Sequence, residues 1–262
     1  MTITSPQNPN LKQLRRLARK PERERSGRFA VEGEDLIAAA ERAERPAIEG
    51  YRLAGSGLGG ADFVDVDAAA LAAVSALGSG TRVIGVYEQR WSPSPAGPLC
   101  VYLHGVGDPG NVGTVLRSAR AFGASSVALG PGCADPYGPK SVRASMGAIF
   151  AVELARVENV AELPGERIAL VAHEGEALRG SPSPAQNTAM ADVEESSERR
   201  SACGRTLLVG AEREGLPKEI VAACERTAHI PIDGAADSLN AAMAATVALY
   251  ELTRHANGLA AK

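Results

Sequence analysis

Residues Asp108 to Ala119 contain the side chains needed to hold an anionic or hydroxylated substrate. The amide of Asn111, two neighbouring glycines and the guanidinium of Arg117 follow an apolar run, where a strand would end and a helix would begin. Backbone N–H groups collect at the positive end of a helix dipole, so such a junction can bind and orient an anion or a hydroxyl. The segment therefore predicts a site for a substrate such as an RNA backbone.

The predicted helix directs Arg117 away from the protein core. One face carries the apolar residues at helical spacing, namely Val112, Val115, Leu116, Ala119 and Phe122. Helical side chains lean toward the N-terminus, so Arg117 can reach back toward Asn111 from the opposite face. The alternative is that Asn111 is only an N-cap and Arg117 a solvated surface residue.

A second candidate segment is the loop Gly210 to Pro217, which follows the apolar run Leu207 to Val209 and carries Glu212. Its glycines allow a sharp turn and a close approach to a ligand. A loop at the carboxyl end of a parallel strand lies where open α/β sheets bind ligands. It is not a GxGxxG fingerprint, so a dinucleotide site is not indicated, and a plain surface turn is the alternative.

A third candidate segment precedes the last predicted helix, Asn240 to His255. Ser238 could cap this helix, whereas Asn240, a weak helix former in the first turn, could serve a ligand. Leu239, Met243, Val247 and Tyr250 form an apolar stripe, which we interpret as core or subunit contact.

Charge is distributed unevenly along the chain. The first 28 residues carry eight basic and two acidic side chains, a net charge of +6, although the 262-residue chain has −3 overall. A basic arm on an acidic body attracts phosphates, so we expect Lys12, Arg15 and Arg16 to bind RNA. A solvated helix face is the alternative interpretation.

The elements that would position these residues form two predicted domains. Residues 1–97 read as a small α/β domain with the basic arm, a strand at Val83–Tyr87 and a proline-rich linker from Trp91 to Pro98. In residues 98–262, apolar strands alternate with helices, which predicts a mostly parallel sheet covered on both faces. The predicted strands include Ile149–Leu154 and His229–Ile232. Residues 176–204 have too little apolar content to bury and are predicted to be a flexible surface insertion.

Composition places the chain among soluble globular proteins, with 45% apolar and 23% charged residues. No apolar run reaches the roughly 20 residues that a bilayer requires, and the first residues lack the apolar core of a signal peptide, so a cytoplasmic location is expected. The four cysteines, Cys100, Cys133, Cys203 and Cys224, are scattered without a CxxC pair. We expect reduced thiols and no metal site.

Taken in order, the three segments resemble the motifs of the SpoU (TrmH-like) RNA ribose methyltransferases of the SPOUT class. Asn111-x-Gly113 with Arg117, Gly210-x-Glu212 with Gly215-Leu216, and Ile230-Pro-Ile followed by Ser238-Leu-Asn240 are each ordinary patterns, but their joint order is specific. Asp135 to Phe150 also looks like the family's stretch after the first motif. The leading domain is more loosely similar to the RNA-binding domain that precedes many of these enzymes.

This resemblance implies a C-terminal trefoil knot that holds S-adenosylmethionine against Gly210, Ile230 and Leu239. It also implies a homodimer with a site built from both chains, in which Arg117 activates the ribose hydroxyl. Asn111, Glu212, Ser238 and Asn240 would orient the nucleotide, Arg117 and the cofactor. Lys140 and Arg143 would add RNA contacts to those of the arm.

An in-line methyl transfer must align oxygen, carbon and sulfur and also remove the hydroxyl proton. A guanidinium stays protonated and is a poor base, so we expect Arg117 to stabilise the developing alkoxide while solvent, a phosphate oxygen or Glu212 takes the proton. The resulting prediction is an RNA 2′-O-methyltransferase acting on ribosomal RNA. The alternatives are a transfer RNA methyltransferase, a non-catalytic RNA-binding or ribosome-assembly factor, and a base methyltransferase, which is disfavoured because the ribose-type arginine is present.

Overall fold

The computed structural model describes residues 2–78, 80–178, 204–233 and 238–254. Contacts divide the chain into two units, Met1–Arg90 with Ala134–Ala151, and Trp91–Cys133 with Val152–Lys262. The helices are α1 (Pro9–Arg16), α2 (Lys20–Ser26), α3 (Glu34–Arg42), α4 (Ala68–Ala72), α5 (Pro109–Ala121), α6 (Pro139–Ala144), α7 (Lys218–Ala222) and α8 (Ala241–Thr253). The strands are β1 (Arg28–Glu32), β2 (Glu49–Leu53), β3 (Val64–Val66), β4 (Val83–Glu88), β5 (Leu99–Leu103), β6 (Ser126–Leu129), β7 (Glu153–Arg156), β8 (Glu166–Val171), β9 (Glu176–Ala177), β10 (Arg205–Val209) and β11 (Arg226–His229).

The first unit is built on a four-stranded sheet in the order β1-β4-β2-β3. The pairs β1–β4 and β4–β2 are antiparallel, whereas β2 and β3 run parallel. Helix α1 packs its apolar face, Leu11 and Leu14, into a core that includes Leu71 and Ile84. The opposite face of α1 therefore stays available to solvent and carries the cations of the basic arm.

Residues 134–151 lie in the first unit, although the predicted domain boundary placed them in the second. Arg23 of α2 is 4% exposed and donates to Asp135 from Nε (2.9 Å) and Nη2 (2.6 Å). Its Nη1 donates to the carbonyl oxygen of Leu17 at 2.8 Å. The Phe29 ring packs against Tyr137 with centroids 4.7 Å apart. A buried ion pair and an aromatic contact thus attach this segment to residues more than 100 positions earlier.

The second unit contains a seven-stranded sheet in the order β7-β6-β5-β10-β8-β11-β9, and all its strand pairs are parallel. This confirms the predicted mostly parallel sheet. The side chains of successive residues in β10 point to opposite faces of the sheet. Leu208 packs in a cluster with Ile220 and Val221 of α7, whereas Val209 lines a pocket together with Ala241 and Ala244 at the start of α8.

Two predicted strands were placed wrongly. The apolar run Ile149–Leu154 divides into a buried 3₁₀ turn, Ala148–Phe150, followed by β7. Periodicity cannot distinguish a short buried helical turn from a strand, which explains the error. The run predicted as His229–Ile232 forms its strand earlier, at Arg226–His229, so Ile230 and Ile232 lie beyond its carboxyl end.

The first two residues of the predicted insertion form a β-strand. Strand β9 pairs with β11 inside residues 176–204, and the Leu178 N–H donates to the carbonyl oxygen of His229 at 2.8 Å. Residues 179–203, which include Cys203, lie outside the described residues, as does the predicted helix end at His255. The predicted linker is attached to the second unit, since the Ser92 N–H donates to Leu154 O at 2.7 Å. Within the described residues, no helix is both long enough and apolar enough to span a membrane.

Candidate active site

The first functional segment begins helix α5 in a well-defined way. The Asp108 side chain accepts a hydrogen bond from the Asn111 N–H at 2.9 Å, and Pro109 occupies the first helical position. Proline suits that position because its φ is already helical and its missing N–H has no partner to lose there. Asp108 is therefore the N-cap, and Asn111 lies inside the first turn. The alternative interpretation of Asn111 as the cap is wrong.

The second segment folds back on itself immediately after β10. The Gly215 N–H donates to Ala211 O at 2.9 Å, and Gly215 adopts a φ of +67°. A Cβ at Gly210 would lie 2.2 Å from the carbonyl carbon of Gly215, so only glycine fits there. The closed loop leaves Glu212 exposed at its tip.

The third segment places Asn240 at the start of α8. The Asn240 Oδ1 atom accepts hydrogen bonds from the Ala242 N–H (3.0 Å) and the Met243 N–H (3.2 Å), so Asn240 is the N-cap. The sequence had suggested Ser238 for capping and had placed Asn240 in the first turn. Ser238 is instead exposed two residues before the cap.

Side chains from the three segments meet in one hydrogen-bonded cluster. The Asn111 Nδ2 donates to Glu212 Oε1 at 2.7 Å, and the Asn240 Nδ2 donates to Asn111 Oδ1 at 3.1 Å and also to Glu212 Oε1. Asn111 thus meets Glu212 and Asn240, which follow it by 101 and 129 positions in the sequence.

The residues of the cluster differ in how many of their hydrogen-bonding atoms are already used. Asn240 uses both amide hydrogens in the cluster and its oxygen on the helix cap, so no donor remains for a ligand. Glu212 uses only Oε1, and no described residue donates a hydrogen bond to its Oε2. The free carboxylate oxygen at the exposed edge of the cluster is therefore the atom best suited to meet a ligand.

Arg117 does not join this cluster. It is exposed on α5, and no described residue forms a hydrogen bond or an ion pair with it. The next residue, Ser118, is buried and its hydroxyl lies 2.6 Å from that of Thr246 on α8. The helix pair is thereby held together while the guanidinium points to solvent.

A pocket beside the cluster brings together the residues predicted to bind the cofactor. Gly210, Ile230 and Leu239 all line it, as do Glu212 and Ser238. Apolar side chains form much of its remaining wall, contributed by Leu170, Val209 and Ile232. A flat apolar ligand with one polar end would suit such a lining.

Sequence reasoning missed a polar pair at the end of β5. The Tyr102 hydroxyl lies 3.1 Å from His104 Nδ1. Burial raises the pKa of Tyr102 to about 12 and lowers the pKa of His104, so both side chains are uncharged at neutral pH. The position of His104 directly after a predicted strand was the signal available for finding it.

The predicted RNA-binding cations are all exposed. Lys12, Arg15 and Arg16 lie on the outer face of α1, and Lys140 and Arg143 lie on α6. The other charges of the basic arm are partly neutralised inside the first unit, through the ion pairs Lys20–Glu24, Arg23–Asp135, Arg25–Glu22 and Arg28–Glu49. The effective positive surface of the arm is therefore α1 and not α2.

Comparison with known proteins gives matches over the larger, C-terminal part of the sequence and over nearly the full chain. A model described as the SpoU rRNA methylase family matches residues 98–250. A Streptomyces viridochromogenes relative, 23S rRNA (uridine(2479)-2′-O)-methyltransferase, is 38% identical over 155 residues, which are 56% of this chain and 49% of the relative. The matched region thus spans about half of that relative.

Two further matches extend over nearly the full length. The Bacillus subtilis (strain 168) protein 23S rRNA (guanosine(2553)-2′-O)-methyltransferase RlmP is 27% identical over 260 residues, covering 95% of this chain and 98% of the relative. The crystal structure of an AdoMet-bound rRNA methyltransferase from Sinorhizobium meliloti superimposes with a TM-score of 0.79 at 29% identity, covering 97% and 98% of the two chains.

Proposed function

The chain belongs to the SpoU rRNA methylase family, and we propose that it transfers a methyl group from S-adenosylmethionine to a ribose 2′-hydroxyl of ribosomal RNA. The observation that carries the proposal is the convergence of Asn111, Glu212 and Asn240 beside the pocket that Gly210, Ile230 and Leu239 line. The two curated relatives described above are named as 23S rRNA methyltransferases, which favours ribosomal over transfer RNA as substrate.

The pocket fits S-adenosylmethionine in its chemistry. Leu170, Val209 and Ile230 offer apolar surface to an adenine ring, and the Gly210 backbone is free of a side chain that would fill the loop. The carboxylate of Glu212 matches the positive charge of a sulfonium. Bound there, the cofactor would supply an electrophilic methyl group for in-line displacement by the ribose oxygen.

Arg117 and Glu212 are the two charged groups of the site with capacity left for the reaction, and Asn111 keeps one amide hydrogen because, among the described residues, its Nδ2 donates only to Glu212. We assign Arg117 to the developing alkoxide and the neighbouring phosphate, because a guanidinium stays charged and binds phosphate oxygens well. The free Oε2 of Glu212 can accept a hydrogen bond from the ribose hydroxyl or from the arginine. Asn111 and Asn240 hold that carboxylate in place, and Ser238 contributes a hydroxyl to the pocket wall.

A second copy of the chain completes this site in our proposal. Arg117 lies outside the cluster of its own chain, and α8 exposes the apolar side chains of Met243, Val247 and Tyr250, which are 61%, 38% and 43% accessible. A homodimer would cover this stripe and deliver the arginine of one subunit to the pocket of the other. The proposal also includes a trefoil knot in the second unit, RNA docking by the first unit through Lys12, Arg15 and Arg16, and a cytoplasmic location.

The decisive experiment tests Arg117→Ala with labelled S-adenosylmethionine and deproteinised ribosomal RNA from a strain lacking the enzyme. The variant should lose at least about 100-fold in methyl transfer, because a group acting on the developing charge is removed, while its heat of cofactor binding stays that of the parent. Arg117→Lys is the matched control, which keeps the charge but not the planar fork and should recover only part of the rate. Methylation by Arg117→Ala at the parental rate would remove the arginine's assignment, and label recovered in a base would overturn the ribose assignment.

A further inference from the structure

Helices α5 and α8 lie side by side in the second unit. Three side-chain contacts join them, namely Asn111–Asn240, Ser118–Thr246 and Phe122–Tyr250. Residue numbers rise together from one contact to the next, so the two helices run parallel. The first two contacts lie seven residues apart on α5 and six apart on α8, a rise of roughly 9 to 11 Å on each helix. Asn111 and Asn240 therefore meet only while the helices keep this axial register.

The Thr246 hydroxyl is bonded on both helices. Its hydrogen is donated to Ala242 O at 2.7 Å, within α8. A hydroxyl has one hydrogen, so the Ser118 hydroxyl, 2.6 Å away on α5, must be the donor across the helix pair. Ser118 is 7% exposed, and among the described residues its hydroxyl has no partner other than Thr246. Loss of Thr246 Oγ1 would leave a buried donor without an acceptor, which a shift of the helices could relieve.

Apolar packing near the cluster fixes the axial position of α8 only weakly. The residues that α8 buries before Leu249 are all alanines, namely Ala241, Ala242, Ala245 and Ala248. Helices lock together where ridges of side chains fit into grooves, and a row of methyl groups makes a shallow ridge. A hydrogen bond joins two defined atoms and therefore specifies one register.

We infer that Thr246 is a positioning residue for methyl transfer, because its hydrogen bond with Ser118 sets the register that brings Asn111 beside Asn240. The inference rests on the proposed function and extends it to a residue that the sequence motifs do not include. Asn111 and Asn240 both donate to Oε1 of Glu212. A shift of α8 along α5 would therefore move or release that carboxylate.

The test replaces the Thr246 hydroxyl and keeps the shape of the side chain. Thr246→Val should lower kcat for methyl transfer to deproteinised ribosomal RNA on the order of tenfold at saturating S-adenosylmethionine, because Glu212 loses its alignment. KM for the RNA should stay parental, because the cations proposed to dock RNA lie in the first unit. Thr246→Ser keeps the hydroxyl and should recover most of the rate.

The same helix offers a matched control. Thr253 is 8% exposed and donates to Leu249 O at 2.9 Å, as Thr246 does to Ala242 O, but among the described residues its hydroxyl has no partner outside α8. Thr253→Val should therefore keep the parental kcat. Parental kcat for Thr246→Val would overturn the inference, as would an equal loss in Thr253→Val. A loss accompanied by a changed sedimentation coefficient would also overturn it, because the effect would then belong to subunit assembly.

A double-mutant cycle tests the partner. Once Ser118→Ala has removed the donor, Thr246→Val should cost no further activity, so the two substitutions together should slow the reaction about as much as either one alone. Effects on kcat that multiply would show that the two hydroxyls act independently and would reject the inference.

The side-chain amide resonances of Asn111 and Asn240 report on the cluster without turnover. In spectra of the isotope-labelled protein they should move in Thr246→Val and keep their parental positions in Thr253→Val. Failure of the proposed function gives a different result, namely no methyl transfer to any RNA by the parent, and resonances that respond as expected would then still support the register set by Thr246. A parent that methylates RNA alongside a Thr246→Val variant with parental kcat and resonances would reject only the present inference.

Discussion

The donors and acceptors that Asn240 already uses within the protein show that it positions other side chains and does not itself bind a ligand. Its amide caps α8 through Oδ1 and aligns Glu212 and Asn111 through Nδ2, which leaves no donor for a substrate. Among the described residues, none donates to the second carboxylate oxygen of Glu212, and none bonds to the guanidinium of Arg117. Loss of Asn240 should therefore act through the orientation of Glu212.

Replacing Asn240 with serine or alanine can distinguish the cap from the alignment. Serine is as good an N-cap as asparagine, so Asn240→Ser should keep parental stability, whereas Asn240→Ala should lose about 1 kcal/mol. Both should slow methyl transfer to a similar degree, on the order of tenfold to 100-fold, because neither aligns the carboxylate. Thermal unfolding and initial rates measure the two effects. A parental rate for Asn240→Ser would show that the alignment is unimportant.

The residue types of this site were predictable from the sequence, but their exact roles were not. Asn111, Glu212, Ser238 and Asn240 stand out because polar groups and glycines follow apolar runs. Asp108 and Asn111 are both good N-caps, and only the proline at 109 indicates which one starts the helix. The free Oε2 of Glu212 depends on partners 28 and 101 residues away, which no local pattern reveals.

Among the elements, helix α2 shows why an apolar pattern can miss a helix. Its sequence, Lys20 to Ser26, contains no large apolar residue, and its buried residue is Arg23. A buried guanidinium is acceptable there because Asp135 and the Leu17 carbonyl satisfy its donors. Apolar periodicity indicates a helix where apolar residues recur on one face. It therefore indicates α1, which has Leu11 and Leu14, but not α2.

Breaking this ion pair should destabilise the first unit strongly. Arg23→Gln leaves the charge of Asp135 with little solvent access, so we expect a loss of about 3 to 5 kcal/mol in unfolding free energy. Arg25→Gln on the same helix is the control, because that side chain is 70% exposed and its pair with Glu22 should contribute little. Denaturant unfolding compares the two variants. Equal effects would show that Arg23–Asp135 is no more important than a surface pair.

The ion pair between Arg167 of β8 and Glu225, the residue before β11, supplies a prediction about acid stability. Hydrogen bonds from Arg167 lower the pKa of Glu225 from its ordinary value of 4.5 to about 2. A depressed carboxyl pKa stabilises the fold above the unfolded value, and this contribution is lost as the pH falls from about 4.5 toward 2. The unfolding temperature of the parent should therefore exceed that of Glu225→Gln above pH 5, and the difference should vanish near pH 2. A difference that stays constant across this range would contradict the assignment.

At the scale of the whole molecule, the chain interleaves its two units. Residues 134–151 leave the second unit between β6 and β7 and fold with the first. The linker composition at Trp91–Pro98 indicated a change of domain, but the later excursion depends on Asp135 and Phe150 meeting residues far earlier in the chain. Contacts of that range have no local sequence signal. The parallel sheet was predictable because each strand has its own apolar run.

The exposed stripe of α8 predicts the oligomeric state. Val247→Glu places a charge among Met243 and Tyr250, so a dimer that buries this stripe should dissociate. Sedimentation equilibrium should then report a monomer. The rate of methyl transfer should also fall, because the pocket of each subunit loses Arg117 of the other subunit. Ile48→Glu introduces the same charge at an exposed apolar site of the first unit and should change neither property. A Val247→Glu protein that remains dimeric would place the interface elsewhere.

The excursion of residues 134–151 also limits how this protein can be divided or recombined. A fragment beginning after the proline-rich stretch would retain Asp135, Tyr137 and Phe150 but lack Arg23 and Phe29, their partners. In such a fragment Asp135 would have no ion-pair partner, and the rings of Tyr137 and Phe150 would be exposed to solvent. Exposed aromatic rings favour aggregation. The first unit therefore cannot be replaced through a single junction in the sequence. A functional chimera must replace both of its segments, residues 1–90 and 134–151.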